Sequence, residues 1–400
     1  MDGNQTRDTK IAGRYAEEST MADAAATAGK LFGREKITDT TVTLFAESAN
    51  KIPDERFIRT KEVQAAGAVV GEDDEMPLEL PVVDMASLVD PDSSASETAK
   101  LGSACREWGF FQLTNHGVEE AAMQQMKDSA AEFFRSPLES KNTVAVRDGF
   151  QGFGHHFNGG SSEKLDWAEC LLLITQPLKD RRMDLWPATN PPTFRHALER
   201  YSAEIRNLAR RLLGFMATDL GVSPAALLGA FFFAAAGTGT GTENDDKGQS
   251  MSMHHYPPWR HPEKVLGIAP HTDTQALTFL LHADDTPGLQ VKKDGRWFPV
   301  RPLPRGALVV NVGDILDVLT NGDYVSVEHR VVPDAERGRT TVAVFQDACV
   351  QGMVTPLPEL LLVDGGDAQA RYRSVTKLDY LNGSVTALAQ GRRFIDSLRK

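Results

Sequence analysis

Seven short segments with apolar residues at period two, separated by turn residues, occupy positions 265–269, 276–282, 289–292, 297–300, 307–312, 327–332 and 340–347. This run constrains the fold more than any other feature of the chain. Successive side chains of a strand point to opposite faces, so such alternation marks strands that lay one face on a core. Seven of them at close spacing predict an antiparallel sandwich or barrel. Asp294-Gly295 reads as a hairpin turn within it.

The first half has a different texture. A strand is predicted over 80–85, a helix over 96–108, a strand over 109–115 closed by His116-Gly117, and helices over 119–135 and 194–220. Ser223-Pro224 supplies an N-cap and a first-turn proline for another helix. Residues 1–48 are polar and without sustained periodicity, which predicts a loosely ordered extension. Residues 49–79, with the acidic run Gly71-Glu72-Asp73-Asp74-Glu75, read as a linker, so the folded body should begin near Leu80. The Gly/Thr tract 236–242 lacks the Lys-Ser/Thr ending of a phosphate-cradling loop and reads as a flexible insertion.

Composition excludes several classes. A formal net charge of -12, with no basic stripe to reverse it locally, would repel nucleic-acid phosphates and anionic membranes. Cys105, Cys170 and Cys349 are too few and scattered for a disulfide framework or a metal knuckle, which suits a reducing compartment. The N-terminus has no apolar core of a secretory signal, and the longest apolar run, 227–236, is far below the ~20 residues of a membrane-spanning helix. The expectation is a soluble, cytoplasmic protein, monomeric, with a small-molecule substrate.

The strongest chemical signal is His271-Thr272-Asp273, followed by His329. Residues i and i+2 of an extended segment share a face, so an imidazole and a carboxylate can reach one ion, and a later strand can bring a second imidazole alongside. Two histidines and one carboxylate on one face of an octahedron suit non-haem iron(II), with three positions left open. An HxD pair alone is more often surface polarity, but Arg339 and Thr341, ten residues further on, again share a strand face. A guanidinium with a neighbouring hydroxyl can grip a carboxylate such as the far end of 2-oxoglutarate.

The block from Met251 to Gln346 resembles plant 2-oxoglutarate-dependent dioxygenases, on the motifs His254-His255-Tyr256-Pro257-Pro258, Pro270-His271-Thr272-Asp273, Pro287-Gly288-Leu289-Gln290-Val291, Asn311-Val312-Gly313-Asp314, Glu328-His329-Arg330 and Arg339-Thr340-Thr341. The norcoclaurine-synthase-like and codeine-demethylase-like branch is the most similar, with anthocyanidin and flavonol synthases as cousins. Upstream matches, such as Trp108 to Gly117 and Gln151-Gly152-Phe153-Gly154, extend the resemblance to about four fifths of the chain.

The resemblance implies a mainly β fold with flanking helices around a double-stranded β-helix, or jelly roll. Residues 80–200 would form a helix-rich dioxygenase region, 248–350 the jelly-roll core and 351–400 a C-terminal helical segment. It implies iron ligation by His271, Asp273 and His329, and 2-oxoglutarate binding by Arg339, Thr341 and Tyr256. Fe(2+), 2-oxoglutarate and O2 would be the cofactor and cosubstrates, with ascorbate in support. The reaction would couple oxidation of a plant specialised metabolite, by hydroxylation, desaturation, ring closure or demethylation, to release of succinate and CO2. A non-redox condensing enzyme of norcoclaurine-synthase type and a metabolite-binding protein without turnover are the alternatives.

The family usually has Ser at position 341 and Asn at position 254. If His254 touches the cosubstrate, protonation near an imidazole's ordinary pKa of ~6.5 should tighten binding at mildly acidic pH. Phe153, Ser252 and Phe345 stand where relatives place substrate-pocket residues, with core packing equally open for Phe345. His155 and His156 read as loop residues, Asn115-His116-Gly117 as a turn, and Asp314 as the cap of a helix after its strand.

Overall fold

A computed structural model of the chain describes residues 55–60, 79–147, 149–155, 164–188, 193–232, 248–303, 306–363, 366–367 and 369–400. The expected extension 1–48, the Gly/Thr tract 236–242 and His156 lie outside the described residues. The helices are α1 (Met85–Val89), α2 (Ser94–Glu107), α3 (Glu120–Arg135), α4 (Leu138–Asn142), α5 (Thr193–Leu220), α6 (Pro224–Phe231), α7 (Asp314–Leu319), α8 (Lys377–Ala389) and α9 (Phe394–Leu398). Their starts follow local chemistry. The Ser223 side chain accepts from the Ala226 amide ahead of Pro224, and Asp84 accepts from the Ala86 amide, which ends the first strand one residue before the expected Met85.

The strands of the two main sheets are β1 (Val82–Asp84), β2 (Phe110–Thr114), β3 (Gly152–Gly154), β4 (Glu169–Gln176), β5 (Gln249–Tyr256), β6 (Ile268–His271), β7 (Leu277–His282), β8 (Leu289–Lys293), β9 (Arg296–Pro299), β10 (Leu308–Val312), β11 (His329–Val331) and β12 (Arg339–Gln346). Eight form one sheet in the order β1-β2-β10-β7-β12-β5-β4-β3, and four form a second in the order β6-β11-β8-β9. Every pairing is antiparallel except β1 with β2. The β8–β9 hairpin turns at Asp294 and Gly295, both at positive φ (50° and 77°), the backbone that a two-residue turn between twisted strands demands.

The period-two pattern is resolved into two cores. One face of the larger sheet, including Met253, Phe279, Val310 and Val342, packs with Met126, Phe133, Leu198, Ile205 and Leu212 of α3 and α5. The other face, including Phe110, Val309 and Tyr256, meets Ile268, Leu289, Val291 and Val331 of the smaller sheet. The result is a jelly roll flanked by helices.

Two expectations change. Residues 55–60, placed within a linker, pack against the body: Phe57 meets Trp167 edge-on at 5.5 Å, and the Arg59 guanidinium lies 3.1 Å from Asp166. The C-terminal region holds α8 and α9, but also a two-stranded pairing of Met353–Val354 with Val375–Thr376. Among the described residues no helix is long and apolar enough to cross a membrane.

Candidate active site

Antiparallel pairing of β6 with β11 sets His329 directly opposite His271, with ring centroids 4.2 Å apart. Asp273 lies just past the end of β6, its Oδ1 3.7 Å from His271 Nε2 and 3.6 Å from His329 Nε2. One ligand atom from each residue falls within 4.8 Å of the others, as donors to a single ion would.

The orientation of each donor has a cause. His271 Nδ1 is 2.9 Å from the Ala269 carbonyl, and His329 Nδ1 is 3.2 Å from the Val327 carbonyl. A ring nitrogen facing a carbonyl donates to it, so in each ring Nε2 is the nitrogen turned toward Asp273 Oδ1. Asp273 Oδ2 accepts from Thr278 Oγ1 at 2.5 Å and from Asn311 Nδ2 at 2.8 Å, leaving Oδ1 toward the imidazoles. Thr278 and Asn311 are register partners across β7 and β10, so one cross-strand pair clamps the carboxylate. Phe110 covers His329 edge-on at 5.1 Å.

Protonation suits metal binding as well. Burial alone would raise the Asp273 pKa, but His329, His271 and the hydrogen bonds from Asn311 and Thr278 outweigh it and hold the carboxyl below its ordinary range. Burial, followed by the neighbouring His329, pushes His271 down, so its imidazole is neutral. A divalent ion needs its carboxylate ligand ionised and its imidazole ligand neutral, which Asp273 and His271 meet, and this N,N,O set fits iron(II).

Beside the triad, β5, β12 and β7 deliver a second group of polar side chains to the same face. Arg339 pairs with Tyr256, and Thr341 lies between His254 on one side and His282 on the other. The Arg339 guanidinium is buried (the residue is 1% exposed), 5.2 Å from the Tyr256 ring, with Nη2 3.5 Å from His282 Nδ1. Among the described residues, neither Arg339 Nε nor His282 Nε2, both buried, has a hydrogen-bond partner. Leaving such donors unsatisfied is costly, and an anionic oxygen between them would relieve it. The residues present therefore fit a bound carboxylate.

His254 stacks on Tyr256 at 5.8 Å. Burial, then His271 and Arg339, push its pKa down to about 3, and burial with Arg339 and Lys127 takes His282 to about 3. Both rings are neutral, which overturns the expectation that His254 charges near its ordinary pKa.

Of the pocket candidates, Ser252 lies on the same strand face as His254 and Tyr256, with its Oγ 3.1 Å from the Cys170 Sγ. Phe345 shares the Arg339 and Thr341 face of β12 and is half-buried. Phe153 does not share it. It pairs with Leu171, which pairs with Met253 on the helix-facing side, and its ring packs edge-on to Phe133 at 5.7 Å. The substrate-pocket expectation for Phe153 is corrected to core packing.

Asp314 is corrected too. Gly313 is the cap residue of α7, and the Asp314 side chain instead bonds Ser326 and Thr272. Asn115 and Gly117 do shape a turn, both at positive φ, with His116 bonding the Gly306 carbonyl at 3.0 Å. His155 follows β3 as a half-buried ring against Phe57. Thr278 and His282 are not singled out by the sequence, and Asn311 enters only within a motif, without a role of its own. Their period-two placement opposite Asp273 and Arg339 becomes visible only once the strand register is known.

Comparison with known proteins agrees with this geometry. Residues 80–192 match the family described as non-haem dioxygenase in morphine synthesis N-terminal, and residues 247–348 match the 2OG-Fe(II) oxygenase superfamily. The chain is 37% identical over 322 residues to the oxoglutarate-dependent flavonoid 7-O-demethylase 1 of Ocimum basilicum, covering 80% of this chain and 82% of that protein. It is 36% identical over 323 residues to S-norcoclaurine synthase 1 of Coptis japonica, covering 80% and 86%. The crystal structure of JOX2 in complex with 2OG, Fe and JA superposes with a TM-score of 0.74 at 28% identity, covering 91% of this chain and 98% of that one. The chain belongs to the 2OG-Fe(II) oxygenase superfamily and is an iron(II)- and 2-oxoglutarate-dependent oxidoreductase.

Proposed function

We propose that His271, Asp273 and His329 hold the iron and that Arg339, Thr341 and Tyr256, with His282, hold the far carboxylate of 2-oxoglutarate. The single observation that carries this reading is the shared interior: an N,N,O donor set lies beside a buried guanidinium whose Nε has no hydrogen-bond partner among the described residues. When bound, iron and 2-oxoglutarate supply the oxidising chemistry, consuming O2 and releasing succinate and CO2. The protein's own part is placement. Thr278 and Asn311 fix which Asp273 oxygen faces the metal, two backbone carbonyls fix the imidazole tautomers, and Arg339 sets the direction in which the cosubstrate lies. Apolar walls such as Phe110 and Val291 exclude water from that interior.

The substrate is a small organic molecule of specialised metabolism, in line with the demethylase relative, and Phe345 and Ser252 line its place. Residues 80–200 and 248–350 act as one catalytic unit, monomeric and cytoplasmic, without nucleic-acid or membrane partners, consistent with a net charge of -12. A condensing reaction would have no use for a carboxylate anchor as deeply buried as Arg339, so oxidation is the better reading.

Succinate release by the iron-loaded protein, screened against a panel of plant metabolites, tests the proposal. Substrate-dependent succinate formed in step with an oxidised product is the expected result. Product without consumption of 2-oxoglutarate would favour condensation, and stoichiometric binding without turnover would favour a binding protein.

A further inference from the structure

The turn carrying two of the ligands and the segment delivering the third are joined through one buried carboxylate. At the end of β10 the chain passes very close to the metal-binding turn. A Cβ on Gly313 would lie 2.2 Å from the Gln275 carbonyl oxygen and 3.0 Å from that of Asp273. This approach lets the Asp314 amide donate to the Asp273 carbonyl at 2.8 Å, and lets Asp314 Oδ2 accept from Thr272 Oγ1 at 3.2 Å. Thr272 sits between His271 and Asp273 in the chain. The other oxygen, Oδ1, accepts from Ser326 Oγ at 2.6 Å, three residues before His329.

The C-terminal region holds this junction from outside. Arg393 Nη2 donates to the Ser326 carbonyl at 3.1 Å and lies 3.6 Å from Asp314 Oδ1. One turn along α7, Asp317 Oδ2 accepts from the Ser326 amide at 2.9 Å, while its Oδ1 accepts from the Tyr372 hydroxyl at 2.7 Å. Ser326 is thus gripped at its amide, hydroxyl and carbonyl. Two of those grips run through acids that C-terminal side chains contact, and the third is made by Arg393 directly.

We infer that Asp314 is a positioning residue for the metal centre, and that Tyr372 and Arg393 make the C-terminal region a brace that sets metal affinity from outside the jelly roll. The inference rests on reading His271, Asp273 and His329 as the ligands. A three-ligand facial site depends on the relative placement of its donors, and partners that orient ligands typically govern affinity by ~10- to 100-fold. Asp314 holds both ligand-bearing segments with one side chain, so its loss should free them relative to each other.

The test is titration of the full-length metal-free protein with Co(II) alone, read by visible absorption, alongside thermal unfolding of each metal-free variant. Thr272→Val removes only a hydroxyl at constant shape, and with Asp314→Asn it should weaken Co(II) binding by roughly 10- to 100-fold and alter the absorption spectrum. Arg393→Gln should weaken it by about fivefold, because Asp314 keeps its other donors. A purely structural role would lower unfolding temperatures and leave Co(II) affinity and spectrum unchanged.

His271→Ala is measured in parallel. Wild-type affinity (within about twofold) and spectrum in Thr272→Val, Asp314→Asn and Arg393→Gln, with binding lost in His271→Ala, would overturn the brace and leave the ligand assignment standing. Undiminished binding in His271→Ala would overturn the ligand assignment and the brace together.

Discussion

The two faces of the eight-stranded sheet use polar residues in opposite ways. On the helix-facing side most positions are apolar, and the prominent buried polar groups close on one another. Lys141 meets Glu169 at 2.6 Å, and Gln249 is bonded by Thr175, Ser202 and Gln346. On the interior side the same sheet carries Thr278, His282, Asn311, Arg339 and Thr341, and there partners run short: Asp273 keeps one oxygen for the imidazole side, and Arg339 Nε and His282 Nε2 have none among the described residues. Single buried atoms elsewhere, Tyr201 Oη and Gln176 Oε1 among them, also go without a partner among the described residues, so it is the clustering of unpartnered groups beside a metal donor set that points to a ligand. The two-residue period lets one strand do both, because a single step along β12 moves from Arg339 on the interior to Thr340 on the helix side.

The sharpest way to break this division is Asp273→Ala. Turnover should be abolished, with no measurable succinate release and no bound iron, while far-UV circular dichroism and the unfolding transition stay close to wild type. The mirror experiment is Lys141→Met, which removes the ammonium that Glu169 (0% side-chain exposure) meets at 2.6 Å. Chemical denaturation should show a loss of ~3 to 5 kcal/mol, with the 2-oxoglutarate affinity of the folded fraction unchanged. A large change in cosubstrate affinity there would mean the two faces are not separable.

A smaller effect comes from acid. His254 and His282 stay neutral down to about 3, whereas the same imidazoles in the unfolded chain protonate near ~6.5. Below that pH the unfolded state binds more protons, so stability falls as pH falls. Each ring should cost about 2 kcal/mol between pH 6.5 and 5, and His282→Gln should flatten the stability profile measured by urea unfolding. The smallest effect belongs to His254→Asn: since the ring is already neutral, 2-oxoglutarate affinity between pH 6 and 8 should keep the wild-type dependence. A profile that changed shape would show that His254 titrates in the occupied pocket.

Much of this was legible in the sequence wherever the signal is local. The seven period-two segments each overlap a strand, the Ser223-Pro224 cap starts its helix, and Asp294-Gly295 turns its hairpin. Three strands of the two main sheets escaped. β4, Glu-Cys-Leu-Leu-Leu-Ile-Thr-Gln, is buried on both faces and does not alternate. β5, Gln-Ser-Met-Ser-Met-His-His-Tyr, lacks β-branched residues, and β3 is a three-residue piece with two glycines. His271, Asp273, His329 and Arg339 could be named because HxD spacing and an RxT strand carry their own logic. The roles of Thr278, Asn311 and His282 could not, because they depend on which strand lies beside which. Phe153 was misplaced for the same reason: a residue's face is unknown until its register is.

The most direct measurement is anaerobic titration of 2-oxoglutarate into the iron(II)-loaded protein and its Arg339→Gln variant, with iron content determined on both. Removing one partner of a desolvated charge pair costs ~3 to 5 kcal/mol, so the variant should bind 2-oxoglutarate more weakly by roughly 10²-fold to several thousandfold while retaining its iron. A change below about threefold, with iron intact, would contradict the assignment of the buried guanidinium as the cosubstrate anchor.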